Sequence, residues 1–383
     1  MIERLGVAAQ RFLAGETFDP DRFQIDAIEA IERGASVVVT APTGSGKTLI
    51  AEAAIEVALA AGKRAFYTTP IKALSNQKYR DLVDRYGQSG TGLLTGDNSL
   101  NGEAPVVVMT TEVLRNMIYA GSGALVGLGV VILDEVHYLQ DRYRGSVWEE
   151  TIIHLPAEVQ LVNLSATVAN GEEFAGWVRA RRGATELVVE EERPVPLESM
   201  YLLRDRYHDD AVEWYPVFGK DGVRPNSRVV NLLRKGRGRQ RRFATPRRLE
   251  VAEALLAAGL LPAIYFIFSR AGCDQAARTV ASAGLRLTSA DEREVIRSFA
   301  SEAIAHLDPA DLGVLGYESW LATLESGIAA HHAGMVPAFK EAIEELFADG
   351  YIKLVFATET LALGINMPAK AVVLESFSKF NGE

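Results

Sequence analysis

The sequence contains a single cysteine and no apolar run long enough to cross a membrane. Cys273 is the one cysteine among 383 residues, so a disulfide within the chain is excluded and a reducing compartment is expected. Two uncharged stretches, 117–133 and 254–269, are interrupted by glycine or proline and fall short of about 20 solidly apolar residues. The N-terminus lacks the charged and then apolar order of a signal peptide. We therefore expect a cytoplasmic protein without a membrane span.

The sequence also lacks an excess of basic residues. Lysine and arginine total 40 against 50 aspartates and glutamates, which gives a net charge of −10. Net charge therefore does not attract this chain to nucleic acid, and any such contact needs a local groove of backbone amides and a few basic side chains. Apolar residues make up 48% of the chain, which is enough for buried cores. The length suggests two or three domains.

Short β-branched runs alternate with helical patterns, which predicts parallel sheets covered by helices, an α/β fold. The runs are apolar almost throughout, as in strands that are buried on both faces. They are Ser36–Thr40, Arg64–Thr68, Val106–Thr110, Val130–Leu133 and Gln160–Leu164, then Ala263–Phe268, Gly327–His331, Ile352–Ala357 and Ala371–Glu375. Between the two groups, 201–248 shows little periodicity, and 234–248 is basic without an acidic residue. We interpret the basic stretch as a solvated linker in preference to a specific nucleic-acid site.

A glycine-rich segment follows the first strand and precedes a predicted helix, Leu49–Leu59. It consists of Ala41, Pro42, Thr43, Gly44, Ser45, Gly46, Lys47 and Thr48. The glycines let the backbone approach a phosphate, and the N–H groups at the helix N-terminus attract the anion. Lys47 can reach the β- and γ-phosphates of ATP, and Thr48 can bind Mg²⁺. Ala41 stands where the common phosphate-loop pattern has its first glycine, so a glycine-rich turn without a ligand is the alternative.

Two carboxylates, Asp134 and Glu135, follow the predicted strand Val130–Leu133. Open α/β sheets bind ligands at the carboxyl ends of their strands. Asp134 can hold Mg²⁺, Glu135 can deprotonate the attacking water, and His137 is close enough in sequence to sense the γ-phosphate. An isolated Asp-Glu pair is usually a loop start or a helix cap. Together with Lys47 on another strand, it predicts a nucleotide hydrolase site.

These motifs and several others resemble those of the DExH-box helicases of superfamily two, over 18–382. Phe18 and Gln24 resemble the motif that binds adenine. The family's motifs that contact the nucleic-acid strand resemble the segments that contain Thr69, Pro70, Ile71, Lys72, Thr95, Gly96, Thr110, Thr111, Arg115, Ser269, Arg270 and Thr358. Ser165 and Thr167 resemble the motif that couples ATP hydrolysis to movement of the nucleic-acid strand. Gly364 and Asn366 resemble residues of a second-domain motif that contacts the nucleotide.

The resemblance implies two RecA-like parallel-sheet domains in tandem. It places an ATP-binding domain at 1–190, a crossover strand with the basic linker at 191–255, and an incomplete second domain at 256–383. The sequences of 71–79, 144–150 and 364–370 resemble the corresponding segments of the superkiller and exosome-associated RNA helicases. The implied protein is a monomeric translocase that couples hydrolysis of ATP–Mg²⁺ to movement on single-stranded nucleic acid, RNA in preference to DNA. The alternatives are a DNA helicase of the sister repair branch and an ATP-gated RNA-binding scaffold.

The family also uses an arginine of the second domain to neutralise charge on the γ-phosphate. The last arginine here is Arg297, which precedes the block that would supply it. We therefore expect a fragment that binds ATP–Mg²⁺ but hydrolyses it weakly. Of the other reactive side chains, we expect Cys273 to be buried and inert. We interpret His331 and His332 as structural or strand-contacting residues, because no cysteine or carboxylate cluster accompanies them.

Overall fold

The structure is a computed structural model that describes residues 2–96, 98–141, 144–166, 170–234, 242–361 and 367–376. The chain divides into two compact units, Met1–Leu197 and Glu198–Glu383. Each unit contains its own sheet and its own buried core. The α/β fold with parallel sheets, predicted from the alternation of apolar runs and helical patterns, is confirmed.

The first unit is built on an eight-stranded sheet with the spatial order β4-β3-β5-β2-β6-β7-β1-β8. All neighbouring strands are parallel except β3 and β4. The strands are β1 (Ser36–Thr40), β2 (Arg64–Thr69), β3 (Thr91–Leu94), β4 (Ser99–Leu100), β5 (Val106–Thr110), β6 (Leu128–Leu133), β7 (Gln160–Ser165) and β8 (Thr185–Val189). The central strands are buried along almost their whole length, because helices cover both faces of the sheet.

Among the described residues of this unit, seven helices accompany the sheet. They are α1 (Val7–Ala14), α2 (Arg22–Glu32), α3 (Lys47–Ala60), α4 (Lys72–Gly90), α5 (Thr111–Tyr119), α6 (Gly145–His154) and α7 (Gly171–Arg182), with short 3-10 turns at Ile2–Arg4, Gly123–Leu125 and Val136–Gln140. The apolar face of α2 is buried, with Phe23, Ala27, Ile28 and Ile31 at helical spacing and all at most 5% exposed.

Three long side chains close the amino edge of this sheet by donating to loop carbonyls. Arg64 donates to the carbonyls of Gly102, Ala104 and Ala124, in the loops that precede β5 and β6. Arg182 donates to the carbonyls of Leu155, Pro156 and Val159 before β7, and Gln160 donates to those of Ile31 and Ala35 before β1. Loop carbonyls that no strand partner satisfies are therefore hydrogen-bonded at this edge.

The second unit contains a parallel sheet of four strands in the order β13-β14-β12-β15. Its strands are β12 (Ala263–Phe266), β13 (Ile328–His331), β14 (Leu354–Ala357) and β15 (Ala371–Leu374). The helices of this unit are α8 (Ser227–Arg234), α9 (Arg248–Ala257), α10 (Arg270–Ser282), α11 (Ala290–Ala303), α12 (Tyr317–Leu324) and α13 (Pro337–Ala348), with a 3-10 turn at Glu359–Leu361.

The segment 201–248, in which the sequence showed little periodicity, contains regular structure. Strands β9 (Met200–Asp205), β10 (Ala211–Pro216) and β11 (Phe243–Ala244) form an antiparallel sheet in the order β10-β9-β11. One face of this sheet packs through Leu202 and Trp214 on the core that includes α9, and the other packs against Val229 of α8. The low periodicity of 201–248 therefore gave no indication of β10 or α8, because each face of the small sheet is covered and the polar alternation of an exposed strand is absent.

A charge pair between a buried carboxylate and an exposed arginine fixes the last strand of this small sheet. The Asp205 side chain is fully buried, and its carboxylate accepts hydrogen bonds from the Arg242 guanidinium and from the N–H of Tyr207. The neighbouring Arg242 guanidinium lowers the pKa of Asp205 below its ordinary value. The ionised carboxylate is thus part of the folded state of this sheet.

In the described part of the chain, no helix is both long and apolar enough to cross a bilayer.

Candidate nucleotide and nucleic-acid site

The glycine-rich segment joins the carboxyl end of β1 to the first residue of α3, the position that a phosphate loop requires. Gly44 and Gly46 have φ of +84° and +78°, a backbone region that favours glycine. Pro42 and Ser45 are buried, whereas Thr43 and Thr48 are exposed. The loop therefore presents its backbone at the N-terminus of a 14-residue helix, where N–H groups and the helix dipole attract an anion.

The Lys47 ammonium is held inside this loop. Its Nζ donates to the carbonyls of Ala41 at 2.7 Å and Pro42 at 3.0 Å. Desolvation lowers the pKa of Lys47, and the carboxylates of Glu135 and Asp134 oppose that shift. A half-buried cation next to open helix N–H groups fits a bound triphosphate, since that anion would offer the ammonium better partners than two carbonyls.

Gln24 supports the same loop from α2. It is 3% exposed, and its amide nitrogen donates to the carbonyls of Gly46 at 3.0 Å and Ser45 at 3.3 Å. Its amide oxygen accepts from the N–H of Asp21 at 2.8 Å. In this structure Gln24 therefore fixes the loop main chain. Phe18 is 52% exposed and lines a pocket of about 430 Å³ together with Leu13 and Glu16, so its ring is available for stacking on a planar base.

Asp134 and Glu135 follow β6 at the same edge of the sheet as the loop, because β6, β7 and β1 are parallel neighbours. The Asp134 carboxylate accepts from the Tyr67 hydroxyl at 2.7 Å through Oδ2 and from the Glu135 N–H at 2.9 Å through Oδ1. Glu135 has φ of +51°. This backbone conformation is uncommon for residues other than glycine and costs of order 1–3 kcal/mol. This backbone turn places two consecutive carboxylates at the strand end.

The charges of these groups interact across the strand ends. Burial, together with the neighbouring Asp134 carboxylate, raises the pKa of Glu135 to about 7 against the opposing effect of Lys47. Burial and Lys47 also lower the pKa of His137, whose Nδ1 lies 3.2 Å from Glu135 Oε2. Residues distant in the sequence thus share one electrostatic site, and Glu135 is a carboxylate suited to accept a proton near neutral pH.

Ser165 ends β7, the strand between β6 and β1. Its Oγ is buried and has no hydrogen-bond partner among the described residues, so it can still bond to a group that enters the site. Thr167, Gly364 and Asn366, which the sequence also predicted here, lie outside the described residues.

The residues predicted to contact nucleic acid in the first unit lie at the ends of β2, β3 and β5, which are adjacent in the sheet. Thr69, Thr95 and Thr110 occupy these strand ends, next to Pro70, Ile71, Lys72, Gly96, Thr111 and Arg115. The nucleotide residues and these residues therefore occupy different halves of one carboxyl edge.

The threonine hydroxyls of this set are already used within the protein. Thr69 Oγ1 is 2.7 Å from Ser75 Oγ and donates to the Ile71 carbonyl, and Thr111 Oγ1 donates to the Thr69 carbonyl. Thr69 and Thr111 are at most 1% exposed. Lys72 is exposed and Arg115 is half-buried, 3.6 Å from Glu150. Phosphate contacts here would therefore come from main-chain N–H groups and the two basic side chains.

In the second unit, Ser269, Arg270 and Thr358 also follow strand ends. Ser269 caps α10 and accepts from the Gly272 N–H, Arg270 is exposed, and Thr358 N–H donates to the His331 carbonyl. The side chains of His331 and His332 are buried, and their Nε2 atoms lie 2.8 Å from Glu344 and 3.1 Å from Asp274.

Cys273 is buried, and burial raises its pKa to about 12. The expectation that it is buried is confirmed, and its raised pKa disfavours the reactive thiolate form. Tyr67, in contrast, is a site residue that the sequence reasoning missed. Tyr67 belongs to no motif, and its buried position in β2 does not by itself indicate a site residue.

Residues 21–174 match the DEAD/DEAH box helicase domain, a class defined by the phosphate loop and the paired carboxylates. The chain is 53% identical to the probable helicase HelY of Mycobacterium tuberculosis over 97% of its own length and 43% of that protein. It is 44% identical to the DExH-box ATP-dependent RNA helicase DExH15 of Arabidopsis thaliana and 40% identical to superkiller complex protein 2 of Homo sapiens, in both cases over 95% of this chain.

The chain therefore belongs to the DExH-box helicases, in the branch that includes the HelY and superkiller proteins. It spans less than half the length of these relatives, 43%, 34% and 30% respectively.

Proposed function

We propose that this chain is the ATP-driven motor region of a helicase that translocates on single-stranded RNA. One observation carries the proposal: the phosphate loop with Lys47 and the carboxylates Asp134 and Glu135 meet at one sheet edge, where both carboxylates act on the pKa of Lys47 and Lys47 acts on that of Glu135. Lys72 and Arg115 follow the neighbouring strand ends. ATP–Mg²⁺ supplies the phosphoanhydride bond whose hydrolysis is coupled to movement. We propose 1–190 as the ATP-binding domain, 191–255 as the connecting segment and 256–383 as part of the second domain.

The roles of the residues follow from their surroundings. Backbone N–H groups from Gly44 to Thr48 hold phosphate, and Lys47 neutralises its charge. Thr48 and Asp134 are the oxygen donors suited to Mg²⁺. Glu135, which is half-buried beside another carboxylate, accepts the proton of the attacking water. Phe18 stacks on the base, and Gln24 holds the loop in register with it.

RNA is favoured because three of the similar proteins are named as RNA helicases, DExH15 among them. The strand-contacting residues offer main-chain N–H groups and a few cations but few base-reading side chains, which suits movement along any sequence. A DNA helicase of the sister branch remains the second candidate in the same class. A scaffold without hydrolysis is a weaker candidate, because it does not need Glu135 held at a pKa of about 7.

The test begins with nucleotide binding to the intact chain in the presence of Mg²⁺, followed by the fluorescence of a labelled ATP. Lys47→Ala should lower the affinity at least about 10-fold, whereas Lys63→Ala, an exposed lysine of the same unit, should leave it unchanged. Equal binding by both variants would contradict the proposed nucleotide site.

RNA and DNA strands of matched length and sequence should then compete for the chain at a stated salt concentration. Tighter binding of RNA, and stimulation of hydrolysis by RNA, support the proposal. Preference for DNA supports the sister branch, and RNA binding without any hydrolysis supports the scaffold.

A further inference from the structure

A buried tyrosine hydroxyl is hydrogen-bonded to the metal-site carboxylate from inside the domain. Tyr67 lies in the middle of β2 and is 0% exposed. Its ring packs in the main core of the first unit, among Ile50, Val108 and Ile132. Its hydroxyl donates to Asp134 Oδ2 at 2.7 Å. A polar atom in this core is costly unless it is hydrogen-bonded, and a phenylalanine would fill the same space without that cost.

The hydrogen bond completes the support of the Asp134 carboxylate. Oδ1 accepts from the Glu135 N–H at 2.9 Å, and Oδ2 accepts from Tyr67. The main chain of Asp134 is fixed as well, because its N–H donates to the Thr68 carbonyl at 3.0 Å. With one donor on each oxygen, rotation of the carboxylate about its side-chain bond breaks at least one hydrogen bond. The remaining lone pairs point away from these donors.

The tyrosine ring is itself held in place. The Lys78 ammonium of α4 lies over it, 5.6 Å from the ring centroid, and pairs with Asp81 at 3.1 Å. The main chain of Tyr67 is paired on both sides, with Val108 of β5 and Ile132 of β6. The hydroxyl therefore has little freedom to follow a moving carboxylate, and its position defines where Oδ2 lies.

We propose that Tyr67 is a positioning residue that orients Asp134 for Mg²⁺, an inference that rests on the proposed nucleotide site. Groups that support metal-binding side chains from behind typically change metal affinity or activity about 10–100-fold when they are removed. Tyr67 acts through Asp134 and does not itself touch the metal or the nucleotide. Its contribution should therefore appear in the Mg²⁺ dependence of nucleotide binding.

Tyr67→Phe tests this by removing one oxygen atom from a packed core. Binding of a fluorescent ATP analogue is titrated with Mg²⁺, and separately measured in EDTA. In the variant, the Mg²⁺ concentration for half-maximal enhancement of binding should rise about 10-fold. Binding in EDTA should remain within about 2-fold of the parent chain, because the phosphate loop is unchanged. The matched control is Tyr86→Phe, a tyrosine of α4 that packs on the same core and leaves Asp134 untouched.

A double-mutant cycle with Asp134→Asn separates positioning from general loosening of the fold. If Tyr67 acts through the carboxylate, Tyr67→Phe should have no further effect on the Mg²⁺ dependence in the Asp134→Asn background. Thermal unfolding of each variant shows whether it is folded at the temperature of the binding assay.

The outcomes are distinct. A Mg²⁺ titration of Tyr67→Phe that coincides with the parent curve overturns the inference and leaves the nucleotide site standing. A loss of affinity that is equal in EDTA and in Mg²⁺ also overturns it, since the tyrosine then supports the loop. A parent chain that binds no nucleotide overturns the proposed function, and the positioning role falls with it.

Discussion

The hydrogen bonds from Gln24 to the phosphate loop allow a sharp test by a one-atom change. Gln24→Glu replaces the amide nitrogen, which donates to the carbonyls of Gly46 and Ser45, by an oxygen that cannot donate when ionised. The other oxygen can still accept from the Asp21 N–H. The shape and volume of the side chain are nearly unchanged, so packing in α2 is preserved.

The size of the effect follows from burial. Gln24 is 3% exposed, and a buried acceptor left without its donor costs about 1–3 kcal/mol. A loss of about 2 kcal/mol should lower the midpoint of thermal unfolding by roughly 4–8 °C in a unit of this size. The Gly46 carbonyl lies directly before Lys47, so displacement of the loop should also weaken nucleotide binding, by about 10-fold for each 1.4 kcal/mol.

The assay combines thermal unfolding by circular dichroism with nucleotide binding in Mg²⁺. Gln88→Glu makes the same chemical change at an exposed position and should alter neither quantity. If Gln24→Glu unfolds at the temperature of the parent and binds nucleotide equally well, the two hydrogen bonds do not hold the loop, and the argument from burial is refuted.

Three further outcomes are expected. Glu135→Gln should keep ATP bound but slow its hydrolysis about 10²–10⁴-fold, because the base is lost; single-turnover hydrolysis measured beside binding checks this. Gly46→Ala should destabilise the loop, since φ is +78° and the new Cβ would lie 2.5 Å from the Gln24 nitrogen; unfolding and nucleotide binding report it. Asp205→Asn should remove an acid-sensitive part of the stability, measured as the free energy of unfolding between pH 3 and 7. The pKa of Asp205 is depressed by Arg242, so that stability is present above the ordinary carboxyl range near pH 4 and is lost as the pH falls.

One of these variants has a matched control, and each of the other two has a result that would contradict the prediction. Gly44→Ala has a similar φ of +84° but an open surrounding, so it should be the milder variant; equal effects would mean that the contact with Gln24 is unimportant. A Glu135→Gln variant that hydrolyses ATP at the parent rate would remove Glu135 from the chemistry. Parallel pH curves for Asp205→Asn and the parent would show that the Asp205–Arg242 pair does not link protonation to folding.

Apart from the half-exposed β15, the strands that the sequence predicted are buried, and short β-branched runs favour such strands. All nine runs are strands in the structure, with shifts of one or two residues at their ends. The strands that were not predicted have a different character. β8 is an exposed edge strand, β3 contains a glycine, and β9 places polar and apolar residues on two covered faces. Their strand structure depends on tertiary packing, which periodicity does not record.

The residues of the site also divide into those that the sequence predicted and those that it did not. Lys47, Asp134 and Glu135 were accessible from the sequence, because a glycine-rich turn and paired carboxylates each follow a recognisable strand. The convergence of these residues at one sheet edge follows from parallel topology. The Tyr67 hydroxyl could not be assigned, since its partner lies 67 positions away and a buried tyrosine usually indicates core packing alone. The internal use of the Thr69 and Thr111 hydroxyls is likewise a product of the loop conformation.

The arginine and glutamine side chains that hold loops at the amino edge of the first sheet have a consequence for how the domain can vary. Arg64 serves three carbonyls in two loops, and Arg182 serves three in the segment before β7. An insertion in any of these loops would leave a partly buried cation and a loop carbonyl without their hydrogen bond. The lengths of these loops are therefore constrained together. At the opposite edge, the Ser165 hydroxyl has no hydrogen-bond partner among the described residues. The lengths of these loops are thus constrained at the amino edge, although the proposed nucleotide site lies at the carboxyl edge.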